Sequence, residues 1–243
     1  MHSGHDGALA GRGTAVELVL TGRRYPRFVL LLVAMLSELT LAPFIELLPR
    51  GPLLVQLVTA TVLLAALAVA GSRRIAVTLF SAALLVHLSA AVTANAAITA
   101  AAHALRLVFL CYVVVLLMYR VLGDPAVTLD TVAGAACVYM LLGLVWGYLF
   151  LVLESWRPGS FHVPPDWIAS SPGSLRATLV YFSFSTLTTV GYGDIHPNDP
   201  QAGSLCAAEA LIGQLYLAIM IARLVGLHAT RMGRAGDHHR TPA

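Results

Sequence analysis

The feature that most constrains the fold of this chain is a short polar segment between two long apolar runs. It spans residues 188–194 and reads Thr-Thr-Val-Gly-Tyr-Gly-Asp. Irregular backbone is tolerated inside a bilayer only where it is buried in protein or lines a water-filled cavity. Gly191 and Gly193 alternate with larger residues, and glycine permits the backbone angles that turn successive carbonyl groups to one side. The pattern predicts a strand of aligned carbonyl oxygens in a membrane protein.

Residues 189–194 resemble the selectivity filter of tetrameric potassium channels. An isolated Gly-x-Gly is typical of an ordinary turn, but here six consecutive residues match, between an amphipathic run and an apolar helix. The specific resemblance covers residues 130–227. It implies that four chains stack rings of oxygen atoms, which replace the water around a potassium ion. The ion-binding residues that it implies are Thr189, Val190, Gly191, Tyr192 and Gly193, of which the first four hold K⁺.

Composition indicates a membrane protein and argues against several other classes. The chain is 58% hydrophobic and 11% charged, with a net charge of +3 and no basic stripe that would indicate nucleic-acid binding. Its cysteines, Cys111, Cys137 and Cys206, all lie in apolar stretches and are interpreted as packing residues. The sequence contains neither a nucleotide-binding motif nor a nucleophile with a base, so we expect no enzyme activity. We also expect no cofactor, with potassium ions as the permeant ligand.

Six apolar stretches each approach the ~20 residues needed to cross a hydrocarbon core. They span residues 27–48, 52–70, 75–92, 98–119, 129–153 and 202–227. The predicted organisation has five parts: a polar N-terminal segment (1–26), a four-helix module resembling a voltage sensor (27–120), a linker (121–131), a pore domain (132–228) and a short tail (229–243). We expect no signal peptide, and we expect a tail too short for a nucleotide-binding or calcium-binding domain.

The distribution of arginine predicts the orientation of these helices. With six spans, ten of the arginines fall on one side of the membrane and three on the other. Because positive residues concentrate in cytoplasmic loops, both termini are predicted to be cytoplasmic in a multi-pass protein of the cytoplasmic membrane. The ten are Arg12, Arg23, Arg24, Arg27, Arg73, Arg74, Arg120, Arg231, Arg234 and Arg240; the three are Arg50, Arg157 and Arg176.

The fourth predicted helix lacks the charges of a voltage sensor. Between residues 98 and 119 its one arginine is Arg106, and Arg120 lies at the helix end. Each charge that crosses the field contributes about 2.3 kcal/mol per 100 mV, so a sensor needs basic residues at regular spacing. The four-helix module (27–120) is therefore interpreted as having the shape of a voltage sensor but not its gating charges. The alternative of a single gating charge per subunit stays open.

Three acidic residues are expected to find partners inside the protein. Glu38 lies deep in the first helix, where an acid normally pairs within the bundle, and the candidates are Arg106 and His87. Asp130 is expected to cap the fifth helix on the cytoplasmic side. Glu209 is expected to hydrogen-bond a hydroxyl group of the pore helix rather than to face ions.

Residues 174–187 are predicted to form the pore helix that precedes the filter, with Ser174 as its N-cap. The C-terminal end of this helix would direct its partial negative charge toward a central cavity and favour a cation there. Some members of the resembled family carry a carboxylate behind the filter where this chain has Ser185. The residues predicted to support the filter are Thr188, Asp194, Tyr181, Phe182 and Ser185.

The last helix is predicted to line the inner vestibule. Gly213 lies about midway and resembles the hinge glycine of many potassium channels, while close packing against the pore helix is nearly as well supported. Four residues follow at helical spacing and form one stripe. Its members are predicted to form the cavity wall and inner constriction: Gln214, Leu217, Ile221 and Val225.

These observations predict an all-α membrane protein with six spanning helices, a re-entrant pore helix and a filter, assembled as a homotetramer among membrane lipids. The expected function is passive, potassium-selective conduction that is not steeply voltage-gated. One alternative is the pore subunit of a larger potassium uptake system, although such chains usually carry four degenerate filters. Another is a non-conducting regulatory subunit, which flux measurements would distinguish.

Overall fold

The chain is mostly helical in a computed structural model. The residues it describes are 27–45, 48, 51–70, 78, 81–82, 85, 96–123, 128–169 and 174–237. The predicted N-terminal segment, most of the predicted helix at 75–92, part of the predicted linker and the end of the predicted tail lie outside these residues.

Seven helices and two short strands lie within the longer described ranges, and the described residues 78, 81–82 and 85 are helical as well. In chain order they are α1 (Arg27–Ile45), α2 (Gly51–Ala70), α3 (Ala96–Gly123), α4 (Leu129–Trp156), β1 (Phe161–His162), α5 (Pro165–Ala169), α6 (Ser174–Leu187), β2 (His196–Pro197) and α7 (Pro200–Asp237). Three helical stretches here are long and apolar enough to cross a membrane: Ala97–Gly123, Leu129–Trp156 and Pro200–Leu227. All three overlap spans predicted from the sequence.

Helix α4 is the centre of the packing. It contacts α1, α3, α6 and α7, and its residues Val138, Leu141 and Phe150 are completely buried. Two of its glycines, four residues apart, allow α6 to approach closely. A Cβ atom on Gly143 would lie 2.6 Å from the ring of Phe184, and one on Gly147 would lie 3.0 Å from the Cα atom of Val180. Small residues at this spacing are typical of closely packed membrane helices.

The prediction that Asp130 caps α4 is wrong. The N-cap of α4 is Thr128, whose hydroxyl accepts from the Thr131 amide at 3.1 Å. Asp130 Oδ1 instead accepts from the amides of Phe28 at 2.9 Å and Val29 at 3.3 Å. The first-turn amides of a helix lack acceptors within that helix, and Thr128 already serves α4. The Asp130 carboxylate therefore stabilises the start of α1.

The end of α3 is held by the last helix. Arg223 of α7 donates from Nη1 to the carbonyl oxygen of Val121 at 3.1 Å and from Nη2 to that of Leu122 at 2.5 Å. The last carbonyl groups of a helix have no partners within it and carry partial negative charge. A guanidinium group satisfies both requirements. This contact joins the front helices to α7.

A two-stranded antiparallel sheet joins the loop after α4 to the loop before α7. Phe161 pairs with Pro197, and His162 pairs with His196. Asp199 caps α7 by accepting from the Ala202 amide at 2.8 Å. That hydrogen bond holds the pKa of the exposed Asp199 carboxyl below its usual range. The sheet and the cap anchor the two ends of the loop that follows residue 194.

Candidate functional site

The signature segment, residues 188–194, begins directly where α6 ends. Its amide groups turn back toward the last residues of that helix. The amides of Val190 and Gly191 both donate to the carbonyl oxygen of Ser185, at 2.9 and 3.2 Å, and the Thr189 amide donates to that of Thr186 at 2.9 Å. The start of the segment is therefore fixed to the C-terminal turn of α6.

These hydrogen bonds determine where the carbonyl groups point. In a trans peptide the carbonyl of one residue lies opposite the N–H of the next, and none of the described peptide bonds is cis. The amides of residues 189–191 face α6, so the carbonyl groups of Thr188, Thr189 and Val190 point away from it. The Tyr192 amide donates to the Ser185 hydroxyl at 3.4 Å, which directs the carbonyl of Gly191 the same way. Four successive carbonyl oxygens thus share one side.

The alternating backbone that this arrangement needs is visible in the φ angles. Gly191 has φ 57° and Gly193 has φ 82°, both in the left-handed region that glycine adopts without strain. Thr189 also has a positive φ, 60°. A β-branched residue in this region is an outlier, and such strain is concentrated at functional sites. The backbone of the segment is therefore specialised, not an ordinary turn.

The outer end of the segment is held by an aromatic residue of α6. The hydroxyl of Tyr181 donates to Asp194 Oδ2 at 2.8 Å. The Tyr181 ring stacks on that of Tyr192, with centroids 6.2 Å apart, and contacts the ring of Trp167 at 5.6 Å. At the inner end, the Thr188 hydroxyl donates to the Phe184 carbonyl oxygen at 2.6 Å. Thr188, Tyr181 and Asp194 therefore join the segment to α6.

Phe182 lies elsewhere. It is buried against Phe150 of α4 and Phe161 of β1, with ring centroids 5.5 Å from each. Because neighbouring residues of a helix point about 100° apart, Phe182 cannot share the face on which Tyr181 meets Asp194. Its contacts stabilise the packing of α6 on α4 rather than touching the signature segment.

The signature segment is exposed in the single chain. Val190 is 54% exposed and Tyr192 is 70% exposed, and both follow directly on the buried end of α6. Large apolar side chains exposed together with aligned carbonyl oxygens are typical of a surface that another molecule covers. One chain therefore presents its aligned carbonyl oxygens on a surface that the chain itself does not cover.

The last helix buries one stripe and exposes the rest. The buried stripe follows helical spacing: Ala202, Glu209, Gly213, Tyr216 and Met220. The residues predicted to line a cavity are exposed in the single chain: Gln214, Leu217, Ile221 and Val225. A second apolar stripe is exposed equally: Leu211, Leu215 and Ile219. Leu217 and Ile221 also border an apolar groove between α1, α4 and α7.

Gly213 lies directly against the end of α6. A Cβ atom at this position would be 2.5 Å from the carbonyl oxygen of Leu187 and 2.8 Å from its Cδ1 atom. The same carbonyl oxygen accepts from the hydroxyl of Tyr139 in α4, at 3.1 Å. These contacts support the packing interpretation of Gly213, because α7 could not approach α6 so closely with any larger residue.

Two charged residues of the front helices, Glu38 and Arg106, are paired with hydroxyl groups. Glu38 accepts from the Thr59 hydroxyl of α2, so its hydrogen-bond partner among the described residues is not the candidate Arg106. The other candidate, His87, lies outside the described residues. Arg106 donates to the Tyr148 hydroxyl of α4 at 2.8 Å, with its guanidinium carbon 5.5 Å from that ring's centroid. Arg106 therefore contacts α4 directly.

Several residues that position this site were not predicted. Gly143 and Gly147 could have been found from their four-residue spacing in an apolar helix. Tyr139 and Arg223 carried no such signal, because each meets a backbone carbonyl of a distant segment. Across the described ranges, no group of three or more His, Cys, Asp or Glu residues is placed to hold a metal ion.

Comparison with known proteins identifies the region that contains the site. Residues 169–227, which include α6, the signature segment and most of α7, match the family model described as an ion channel. This part of the chain is similar to ion channel domains. The matched residues include the whole signature segment and the residues of α6 that contact it.

A second match is to a potassium channel. Over 86 residues the chain is 31% identical to the inward rectifier potassium channel Kirbac3.1 of Paramagnetospirillum magnetotacticum. The match covers 34% of this chain and 24% of that protein, so the chain spans about a quarter of its relative's length. No solved structure matches the chain. The two matches confirm the resemblance to the potassium channel superfamily, and both point to a channel rather than an enzyme.

Proposed function

We propose that four copies of this chain form a potassium-selective channel through the cytoplasmic membrane. The observation that carries the proposal is the common direction of the carbonyl groups of residues 188–191, which follows from amides bonded back to α6. Aligned carbonyl oxygens replace the hydration shell of a cation. The name of the similar protein, a potassium channel, supports K⁺ as the ion.

In the proposed pore each chain contributes one quarter of every oxygen ring. The K⁺ ligands are the carbonyl oxygens of Thr189, Val190, Gly191 and Tyr192, with the Thr189 hydroxyl at the inner end. The conduction is passive, because ions move between rings down their electrochemical gradient and no bond is made or broken. The exposure of Val190 and Tyr192 in the single chain supports assembly, since neighbouring copies would cover them.

Six spans with both termini in the cytoplasm fit the described contacts. A Cβ atom on Gly134, near the start of α4, would meet both Val121 of α3 and Phe28 of α1. The start of α1 and the end of α3 therefore lie on one side of the membrane, which requires an even number of crossings between them. Four crossings before α4, then α4 and α7, make six. The arginine distribution supports the proposal that this side is cytoplasmic.

The assembly and the flux can be tested together. Purified protein in nanodiscs should have the mass of four chains, because a single signature segment supplies a quarter of each ring. The same protein in liposomes should pass K⁺ and exclude Na⁺. A functional monomer or dimer would contradict the proposed pore. A tetramer without K⁺ flux would favour a regulatory subunit, and flux that needs a second chain type would favour an uptake system.

Arg106→Gln tests whether the channel senses voltage. Four unit charges that cross the whole field would contribute about 9 kcal/mol per 100 mV. Arg106 is held by Tyr148 and by its ring, so we expect it to move through little of that field. The slope of the conductance–voltage curve should stay almost unchanged, while stability falls by about 1.5 kcal/mol with the lost hydrogen bond. The measurement is a voltage-step series on reconstituted protein.

Rectification provides the control for this prediction. Any weak rectification should come from ion occupancy of the pore, so it should shift with external K⁺ in the wild type and in Arg106→Gln alike. A steep activation curve in the wild type that Arg106→Gln flattens would mean that α3 carries a gating charge.

A further inference from the structure

A buried acid, Glu209, lies where three helices meet: α6, α7 and their neighbour α4. Glu209 of α7 has no solvent exposure. Its Oε1 atom lies 2.5 Å from the hydroxyl oxygen of Ser183 in α6, and that hydroxyl lies 2.7 Å from the carbonyl oxygen of Gly143 in α4. One chain of hydrogen bonds therefore runs from α7 through α6 to α4.

The number of protons in this chain of hydrogen bonds determines the charge of Glu209. A serine hydroxyl donates one hydrogen bond and accepts up to two. The carbonyl oxygen of Gly143 can only accept, so the proton of Ser183 belongs to that contact. The contact between Ser183 and Glu209 then needs a proton from the acid. If Glu209 were ionised, one proton would serve two acceptors and one pair of oxygen atoms would be left in unfavourable contact.

The surroundings of Glu209 also oppose a charge. Its Oε2 atom is buried and has no hydrogen-bond partner in the described part of the chain. No arginine or histidine among the described residues is close enough to compensate a negative charge. The titratable groups that face it are Tyr139 of α4 and Cys206 of α7, while α6 presents Ser183. An ionised carboxylate without a cation or full hydrogen bonding is strongly disfavoured in a protein interior.

We infer that Glu209 is a neutral carboxylic acid, and that as a hydrogen-bond donor it positions α6 beneath the signature segment. Ser183 is two residues before Ser185, whose carbonyl oxygen accepts the amides of Val190 and Gly191. A displacement of α6 relative to α4 and α7 would therefore move the anchor of the aligned carbonyl groups. The positioning role rests on the proposed function, whereas the neutral state of Glu209 does not.

Infrared spectroscopy tests the neutral state without reference to conduction. A protonated carboxyl group has a carbonyl stretching band that a carboxylate lacks. The difference spectrum of wild type and Glu209→Gln at neutral pH should contain this band. The matched control is Glu154→Gln, which removes an acid from the loop-facing end of α4 and should not remove the band. A difference spectrum with carboxylate bands alone for Glu209 would overturn the inference.

Conduction tests the positioning role. Glutamine keeps a donor for Ser183 at the same length, so Glu209→Gln should retain wild-type K⁺ flux and discrimination against Na⁺. Glu209→Ala and Ser183→Ala break the chain of hydrogen bonds, and flux or discrimination should fall about tenfold or more. Rescue by glutamine distinguishes a donor requirement from a general effect of substitution.

The outcomes separate the two proposals. Wild-type protein that carries no K⁺ current overturns the proposed function, while the infrared band still decides the charge of Glu209. A conducting wild type with a silent or unassembled Glu209→Gln overturns the inference alone, because the glutamine should substitute for the neutral acid. Wild-type flux and selectivity in both alanine variants would overturn the positioning role.

Discussion

Gly191→Ala is expected to abolish potassium conduction or its discrimination against sodium while the tetramer still assembles. Gly191 has φ 57°, and a Cβ atom there would meet nothing within 4 Å in its own chain. The substitution therefore costs only backbone strain, about 1–2 kcal/mol per chain. The segment can relieve that strain by rotating its peptide groups, which would turn the carbonyl oxygens out of their common direction. Liposome flux with K⁺ and Na⁺ measures the effect.

Gly159→Ala is the matched control for this prediction. Gly159 also has a positive φ, 88°, and open space where a Cβ atom would lie, but it belongs to the loop between α4 and β1. It should lose a similar amount of stability and keep wild-type conduction and selectivity. Unchanged potassium selectivity in Gly191→Ala would mean that residues 188–194 are not the ion-selective segment. Equal loss of conduction in both variants would attribute the effect to strain alone.

Gly213→Ala is expected to have the second largest effect, and it should act through packing. The new methyl group would lie 2.5 Å from the carbonyl oxygen of Leu187. Backbone cannot yield as a flexible side chain does, so α7 must separate from α6. Overpacking of this kind costs about 1–3 kcal/mol per chain. We expect a lower melting temperature of the reconstituted tetramer together with reduced K⁺ flux.

Gly226→Ala separates packing from helix flexibility. Gly226 lies in the same helix, where a Cβ atom would meet nothing within 4 Å. Alanine there should raise helix stability by about 1 kcal/mol and leave the melting temperature equal or higher. If Gly213 served only as a hinge, Gly213→Ala would also keep or raise the melting temperature and would change channel opening alone. That result would contradict the packing interpretation.

Patterns of residues that are close together in the sequence predicted the parts of the fold that depend on such neighbours. The helix expected at 174–187 has those bounds in the structure, and the partner of Glu209 is a hydroxyl group of that helix, as expected. The lengths of the apolar stretches were sufficient to predict helices, and the glycine spacing of residues 188–194 was sufficient to predict the signature segment. Both signals can be read directly along the sequence. Helix ends differed by a few positions, as with α4, which continues to Trp156.

Contacts between different helices could not be predicted in this way. Asp130 has the sequence position of a cap for its own helix, yet it serves the amides of Phe28 and Val29. Phe182 has the aromatic side chain expected of a residue that supports the segment. The direction of that side chain depends on how α6 packs on α4, and it contacts Phe150. Glu38 offered two charged candidates and bonds to the neutral Thr59. In each case tertiary packing decides between partners that sequence spacing leaves equivalent.

The hydrogen bonds of Arg223 have a consequence for molecules that bind far from the pore. Arg223 joins α7 to the carbonyl end of α3, so a rearrangement at either place changes the free energy of the other. Such linkage is reciprocal, and couplings of about 1–3 kcal/mol change an affinity about 5- to 150-fold. Consider a lipid or drug that prefers one position of the α3 end and a blocker that binds the proposed pore. If the lipid or drug changes the affinity of the blocker by some factor, the blocker changes the affinity of the lipid or drug by the same factor. Displacement of a labelled blocker would thus report ligands of the front helices, even those that never touch the ion path.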